Sequence, residues 1–387
     1  MIYVIADDLT GAAEVAGICI RYGVEVVFGI DTIPEKKATV TIIATDSRSM
    51  TAKEAYTAHL HLAKQIVADQ KNAILFKKCD SALRGHIINE LSALVTATQK
   101  NQILLQPSNP ISKRFIKNGQ YWIEDQLLEN TGFSNDPDFP ATTSKVIKLI
   151  TKEVPNNIYK LKIFCGNSIP SDWEGIVIPD CLSIEDLKKS AQMFHSNLIV
   201  SGSSAFFEQF LITQGIVNSE VTLNKLSTVS QYLLISGSTH PESIDFAAKS
   251  EQKGSQMIVF PDALLGAELD EIKLKEWALE LSKQYNETQK LTLRTSNSLI
   301  QFPNSSKILK HRMSLVVHEL LTKSNINELY IEGGATAYAI LEQMNWKKFT
   351  PIAELAPGVV RMQLTNNKTK HITIKPGSYK WPEGLLQ

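Results

Sequence analysis

The chain has 387 residues, 43% of them hydrophobic and 21% charged, which excludes a disordered or fibrous protein and leaves enough chain for two domains with full cores. Lys and Arg together number 40, as do Asp and Glu, so no overall charge draws it to nucleic acid or to an anionic membrane. A charged small molecule must therefore be met by a local site.

Through the first third, apolar runs of strand length alternate with amphipathic stretches of helix length. Residues 2–6 precede a helix of 12–23, 40–45 precede 52–70, 73–78 precede 83–99, and 102–106 form a further strand. This rhythm predicts a parallel sheet flanked by helices. A polar cluster follows each strand: Asp7-Asp8-Leu9-Thr10-Gly11, Asp46-Ser47-Arg48-Ser49, Cys79-Asp80-Ser81 and Pro107-Ser108-Asn109-Pro110. In a parallel sheet all four leave at the C-terminal edge, where open α/β sheets bind ligands.

Asp7 and Asp8 stand side by side where a strand meets a helix, and a helix start has one N-cap. The expectation is that one of them holds the turn while Asp8 reaches over the sheet edge to substrate hydroxyls. An aspartyl-phosphatase reading (DxDxT) fails, because aligning Asp8 and Thr10 puts Ala6 at the nucleophile position. Lys77, Lys78, Asp80, Ser81 and Arg84 form a mixed-charge cluster suited to an anionic, hydroxylated ligand, with an N-cap role for Asp80 as the alternative. Among the histidines only His59 and His61 are close in sequence, and two residues apart they face different sides of a helix.

Residues 111–154 break the rhythm with a polar, aromatic and proline-containing segment, expected to be a functional excursion or lid. The α/β pattern resumes with strands at 161–166, 175–180 and 197–204, the last two followed by helices. A polar segment at 217–230 separates the domains, expected at 1–225 and 230–387. In the second half, Ser236, Gly237 and Ser238 lie between a strand and a helix, with Thr239 and Glu242 at capping-box spacing, Pro241 in the first turn and Gly254 at the helix end. Gly333 and Gly334 repeat the device, and Lys375 and Gly377 follow a late strand. Glycine turns with free helix N–H groups suit phosphates, and a lysine beside them is a reasonable partner, although packing and capping explain each turn alone about as well. Neither GxxxxGK[ST] nor GxGxxG is present.

The cysteines, Cys19, Cys79, Cys165 and Cys181, make no CxxC pair and lie mainly among apolar neighbours, the pattern of reduced, buried thiols. With no signal peptide or membrane span expected, the localisation read from the sequence is cytoplasmic.

ADDLTGAAEVAG, KKCDSALRGH, NDPDFPATTS, PDCLSIEDL, SGSSAF, LLISGSTHPES, GGATA, APGV and IKPGS, in this order over nearly the whole chain, resemble the four-carbon acid sugar kinase family, formerly a domain of unknown function. The resemblance implies two α/β domains, each on a largely parallel sheet flanked by helices, with the active site in the cleft between them. It further implies transfer from ATP to the terminal hydroxyl of threonate, erythronate or a related tetronate, with the acid sugar in the N-terminal domain and the nucleotide in the C-terminal one. Phosphoryl transfer needs a positioned hydroxyl, a carboxylate to orient it, cations and usually Mg²⁺. Asp80 is read as base or orienter and Asp8 as a ligand of substrate hydroxyls. Arg84 and Arg114 are read as carboxylate partners, beside Asp7, Lys78 and Ser81. Nucleotide-binding residues are read as Ser236, Gly237, Ser238, Gly333, Gly334, Thr336, Gly358, Lys375 and Gly377, with the metal ligands unassigned. Partners are an acid sugar and ATP, with no nucleic acid or membrane and a homodimer left open. The chain departs from the family at Ala335, where an acid is usual, at Pro110 to Arg114, and at Ser378-Tyr379-Lys380. A silent acid-sugar-binding protein and a kinase of another small hydroxy acid are the competing readings.

Overall fold

The structure is a computed structural model that describes residues 1–136, 138–152, 161–167, 169–170, 172–218, 229–238, 240–265, 268–296 and 305–386. Thr239, and with it the expected capping box, lies outside these residues, as do Pro137 and most of the expected domain boundary. The chain divides into two compact units, Met1–Val221 and Thr222–Gln387.

The first unit is built on parallel strands in the order Val26–Ile30, Val40–Ala44, Ile2–Ala6, Ile74–Lys78, Leu198–Gly202, Gln102–Gln106, Gly175–Ile178 and Ile163–Cys165. Val26–Ile30 was not expected from the sequence, because a short apolar run of a buried strand lacks the alternation that separates strand from helix. From Ile2–Ala6 the chain winds one way and from Ile74–Lys78 the other, so the topological switch point lies between these two strands. Ala6 is level with Ala44 and Lys78, which brings the loops after all three strands together. Helix Leu9–Arg21 packs close because its inner face carries Ala12, Ala13, Ala16 and Gly17, all buried. Helix Ala52–Asp69 starts at a capping box between Thr51 and Glu54.

The excursion after residue 110 is not a detached lid. It forms a three-stranded antiparallel sheet, Arg114–Lys117, Gln120–Ile123 and Gln126–Leu127. The first turn is Asn118-Gly119 with φ of 52° and 68°, the two positive values of a type I′ hairpin. Ile116, Tyr121, Leu128, Val146 and Ile150 belong to the same hydrophobic core as Ile5 and Leu105, which ties the insertion to the main sheet.

In the second unit the parallel strands Gln256–Val259, Lys290–Arg294, Tyr232–Ser236, Glu328–Glu332 and Asn367–Lys375 are followed in the sheet by antiparallel Val359–Leu364 and Lys348–Ala356. The register sets Arg294, Ser236, Glu332 and Lys375 in one row at the strand ends. Below it, Tyr232, Tyr330 and Trp381 form an aromatic core. Among the described residues no helix is long and apolar enough to cross a membrane. Of the four free cysteines, Cys165 is half-buried rather than buried.

Candidate functional site

At the switch point of the first unit three carboxylates gather on Arg48. Its Nη2 lies 2.7 Å from Asp7, 3.5 Å from Asp8 and 3.5 Å from Asp80. The Arg48 guanidinium donates to Asp7 Oδ2 through both Nε and Nη2, while Asp7 Oδ1 is buried without a hydrogen-bond partner among the described residues. Burial pushes the Asp7 carboxyl up, against the pull of Arg48 and Lys77.

Which aspartate holds the turn is decided by the helix. Asp8 is the N-cap of Leu9–Arg21: its Oδ1 accepts from Gly11 N at 2.9 Å and its Oδ2 from the Thr10 hydroxyl at 2.6 Å. The expected division is corrected accordingly, since Asp8 caps while Asp7 turns inward. Asp8 remains half-buried, so one carboxylate both caps and borders the cluster. Burial would raise its pKa, but Arg48 and Lys78 outweigh that and hold it below the ordinary value.

Asp80 is gripped by Arg84. Nε donates to Oδ2 at 2.9 Å and Nη2 to Oδ1 at 2.8 Å, and the amides of Ala82 and Arg84 add bonds to Oδ2. Burial opposes ionisation, yet Arg48 and Arg84 hold Asp80 well below the usual carboxylate range. A third Arg84 donor, Nη1, reaches Asp136 at 3.0 Å. The fork expected to meet a substrate carboxylate is thus occupied by protein carboxylates. Arg114 differs: it donates to the Ser81 hydroxyl and lies over the Phe133 ring beside Arg84, and no carboxylate pairs with it among the described residues. Lys78, buried, donates to the Cys79 carbonyl at 2.8 Å; a Cβ on Gly11 would stand 2.8 Å from its Nζ, so the ammonium sits against the helix start. Beneath the cluster Lys77 and Glu90, both 1% exposed, pair at 2.9 Å, and Glu90 accepts from Ser47, the neighbour of Arg48.

Arg48 and Asp136 were not singled out as site residues from the sequence. The signal for Arg48 was present, since it occupies one of the four strand-end clusters. Asp136 lies in the NDPDFPATTS stretch, but its pairing with Arg84 spans 52 residues and left no local mark of its role.

In the second unit the glycine turns meet. Gly237 abuts Thr336 so closely that a Cβ there would be 2.1 Å from Thr336 Oγ1, and a Cβ on Gly377 would be 3.3 Å from Ser238 Oγ. Gly333 has φ of 98°, which favours glycine, and starts helix Gly334–Gln343 without a side-chain cap. The first-turn N–H groups of that helix are therefore open to an anion. The helix after Ser238, Pro241–Gln252, has His240 as N-cap, and Glu242 pairs with Lys380 at 2.9 Å. Gly358 has φ of 74° in the turn that joins Lys348–Ala356 to Val359–Leu364. Lys375 departs from the expectation of a phosphate-facing cation. It is 1% exposed and donates to Glu332 at 2.5 Å and to the carbonyls of Pro376, Gly377 and Tyr379. Glu332 also accepts from Ser236 and Ser243, which locks three strand ends together. Burial lowers the Lys375 pKa despite Glu332. Its role in this geometry is to shape the 376–379 turn.

A family model of a sugar-binding N-terminal domain matches residues 2–210, and one of a nucleotide-binding C-terminal domain matches 233–379. The chain is 22% identical over 381 residues to a D-threonate kinase of Salmonella typhimurium, covering 92% of this chain and 89% of the relative. It is 21% identical over 422 residues to a 3-oxo-tetronate kinase of Burkholderia multivorans, covering 97% and 93%. A solved Salmonella typhimurium protein shares the fold with a TM-score of 0.80 at 18% identity, covering 99% of this chain and 97% of the other. A Haemophilus influenzae protein shares it at 0.72 and 17%, covering 99% and 98%. With both domain models matched in order and these relatives aligned over nearly their full length, the chain belongs to the four-carbon acid sugar kinase family.

Proposed function

We propose that the chain is an ATP-dependent phosphotransferase acting on the terminal hydroxyl of a four-carbon acid sugar of the threonate, erythronate or oxo-tetronate type. The observation that carries the reading is the cluster at the switch point, where Asp7, Asp8 and Asp80 share Arg48 while Arg114 has no carboxylate of its own among the described residues. Sugar hydroxyls match carboxylate acceptors, and an acid matches an unpaired guanidinium.

In this reading Asp8 and Asp80 accept hydrogen bonds from substrate hydroxyls, and Arg114, with Ser81, receives the acid; Lys78 supplies positive charge nearby. Arg84 becomes a positioning residue that fixes Asp80. The hydroxyl oxygen bonds to the γ-phosphorus as the bridging bond to ADP breaks. A carboxylate as acidic as Asp80 is a weak base, but a loose phosphoryl-transfer transition state asks mainly for orientation of the nucleophile, whose proton leaves late. The turns 236–238, 333–336 and 376–377 fit the phosphates of ATP, since their glycines keep side chains away and the uncapped helix offers N–H donors. Among the described residues no group of three or more acidic, His or Cys side chains converges to hold a metal. Mg²⁺ accordingly arrives as MgATP, bound mainly by phosphate and water oxygens, the usual habit of that ion. We place the enzyme in the cytoplasm.

An ADP-release assay with a panel of tetronates and longer sugar acids tests the reading. Turnover of at least one tetronate with kcat/KM at least about tenfold above other acids is expected. Calorimetric binding of a tetronate without ADP release from any acid would instead identify a silent binding protein. Arg114→Lys should raise KM for the acid by about tenfold with little change for ATP, because an ammonium cannot reproduce the guanidinium fork. Equal loss for both substrates would remove Arg114 from the acid site.

A further inference from the structure

We propose that Glu90, with its buried partner Lys77, is a positioning residue for phosphoryl transfer: through Ser47 it sets where Arg48 stands among the three carboxylates. The proposal rests on the kinase reading and gives neither Glu90 nor Lys77 a contact with substrate.

Stability alone does not account for the pair. Lys77 Nζ and Glu90 Oε2 lie 2.9 Å apart inside the core, and although burial opposes ionisation of Glu90, Lys77 prevails and keeps the carboxylate charged. Taking two charges out of water costs about as much as their attraction returns, and apolar side chains of similar volume serve stability as well or better. What the pair supplies is connection. Lys77 Nζ donates to the Lys78 carbonyl at 2.7 Å, two residues before Asp80, as well as to Glu90. Glu90 accepts from Ser47 Oγ at 2.6 Å, next to Arg48. The Ser47 amide donates to Thr45 Oγ1 at 3.4 Å, and that hydroxyl donates to the Ala6 carbonyl at 2.8 Å, one residue before Asp7.

One chain of bonds thus runs beneath the site and joins the ends of strands Ile74–Lys78, Val40–Ala44 and Ile2–Ala6, which lead to Asp80, Arg48 and Asp7. Thr45, Ser47, Lys77 and Glu90 are all buried. Glu90 alone comes from helix Ile87–Thr98, so it ties the sheet edge to that helix. The segment leading into the helix also lies over the site: a Cβ on Gly85 would stand 3.6 Å from Arg48 Cγ and 3.7 Å from Asp7 Oδ2. Arg48 has three carboxylates within 3.5 Å of one nitrogen, so a shift of about 1 Å would exchange one partner for another and misplace the groups that orient the hydroxyl.

Two double variants of the full chain test this, Lys77→Met with Glu90→Leu and Lys77→Met with Glu90→Gln. Both remove the ion pair, and only Gln keeps an acceptor for Ser47. The Leu pair should unfold in urea at or above the midpoint of the Gln pair, whose buried amide is incompletely bonded. Activity should rank the other way, with kcat/KM for the tetronate at least about tenfold below the parent in the Leu pair and within about threefold of it in the Gln pair. KM for MgATP should not move in either. A merely structural role would make activity follow stability. Ser47→Ala cuts the same link with the ion pair intact; it should lower kcat/KM at least about fivefold and cost nothing further when added to the Leu pair. Full turnover by the Leu pair or by Ser47→Ala overturns the proposal, as do equal losses in the two pairs. Should the Leu pair fail to fold, the ion pair is a folding element and the proposal falls. A parent chain that releases no ADP with any tetronate ends the kinase reading, and this one with it, whereas an active parent beside fully active variants ends this one alone.

Discussion

Asp8 shows how one side chain serves two purposes that the sequence presents as alternatives. Its Oδ1 caps the first helix while Arg48 Nη2 stands 3.5 Å away. Asn keeps an oxygen for the Gly11 amide but gives up the charge. Asp8→Asn should therefore change stability by no more than about 1 kcal/mol and lower kcat/KM at least about tenfold. Early melting with normal turnover by the folded fraction would reduce Asp8 to a cap. The run Asp7-Asp8-Leu9-Thr10 announced two carboxylates at a strand end, but not which would turn inward. That depended on Arg48, 41 residues away, which ties down Asp7. Arg84 teaches the same lesson in reverse. Its type and place suggested a substrate contact, and only the folded chain shows Asp80 and Asp136 already in its fork.

At the scale of elements, the strand-to-helix turns of the second unit depend on backbone proximity as much as on glycine content. Gly237 is required because Thr336 presses against it from the turn beside it. Gly237→Ala should cost about 1–3 kcal/mol by overpacking, and adding Thr336→Ala should recover part of that loss. The check is a double-mutant cycle by urea unfolding. Additive effects would mean that the two turns do not touch in solution. Alternating strands and helices were legible because buried faces repeat with the period of their element. The antiparallel sheet of 114–127 went unread despite the Asn118-Gly119 hairpin signal. Its strands are only two to four residues long, too short to show a period. Gly358 follows the same pattern. The sequence showed a glycine, and the fold puts it at the turn of an antiparallel hairpin.

For the molecule as a whole, the dependence of stability on pH sums over groups whose folded and unfolded pKa values differ. Burial lowers His59 from 6.5 to about 4, despite the pull of Glu90. The unfolded chain therefore takes up this proton first, and stability falls as pH drops from 6.5 towards 4. For Glu90 burial works against ionisation, but Lys77 prevails and holds it at about 2 against an ordinary 4.5. Its depressed value contributes stability that is present above pH 4.5 and lost as pH falls towards 2. Urea midpoints should decline over both windows. His59→Gln should flatten the upper one, and the paired change Lys77→Met with Glu90→Leu the lower. A flat midpoint from pH 6.5 to 4 in the parent chain would contradict the buried, neutral His59.

The sequence by itself determined the α/β class, the clusters at the strand ends and the order of motifs that marks the family, because each is written in residues close together along the chain. Tertiary structure decided how those residues are used. It made Arg48 the hub of three carboxylates, left Arg114 without one among the described residues and buried Lys375 against Glu332. Each outcome follows from which distant side chain fills the space beside a given charge, and that partner sets both its hydrogen bonds and the sign of its pKa shift. Periodicity along a chain carries no record of that choice.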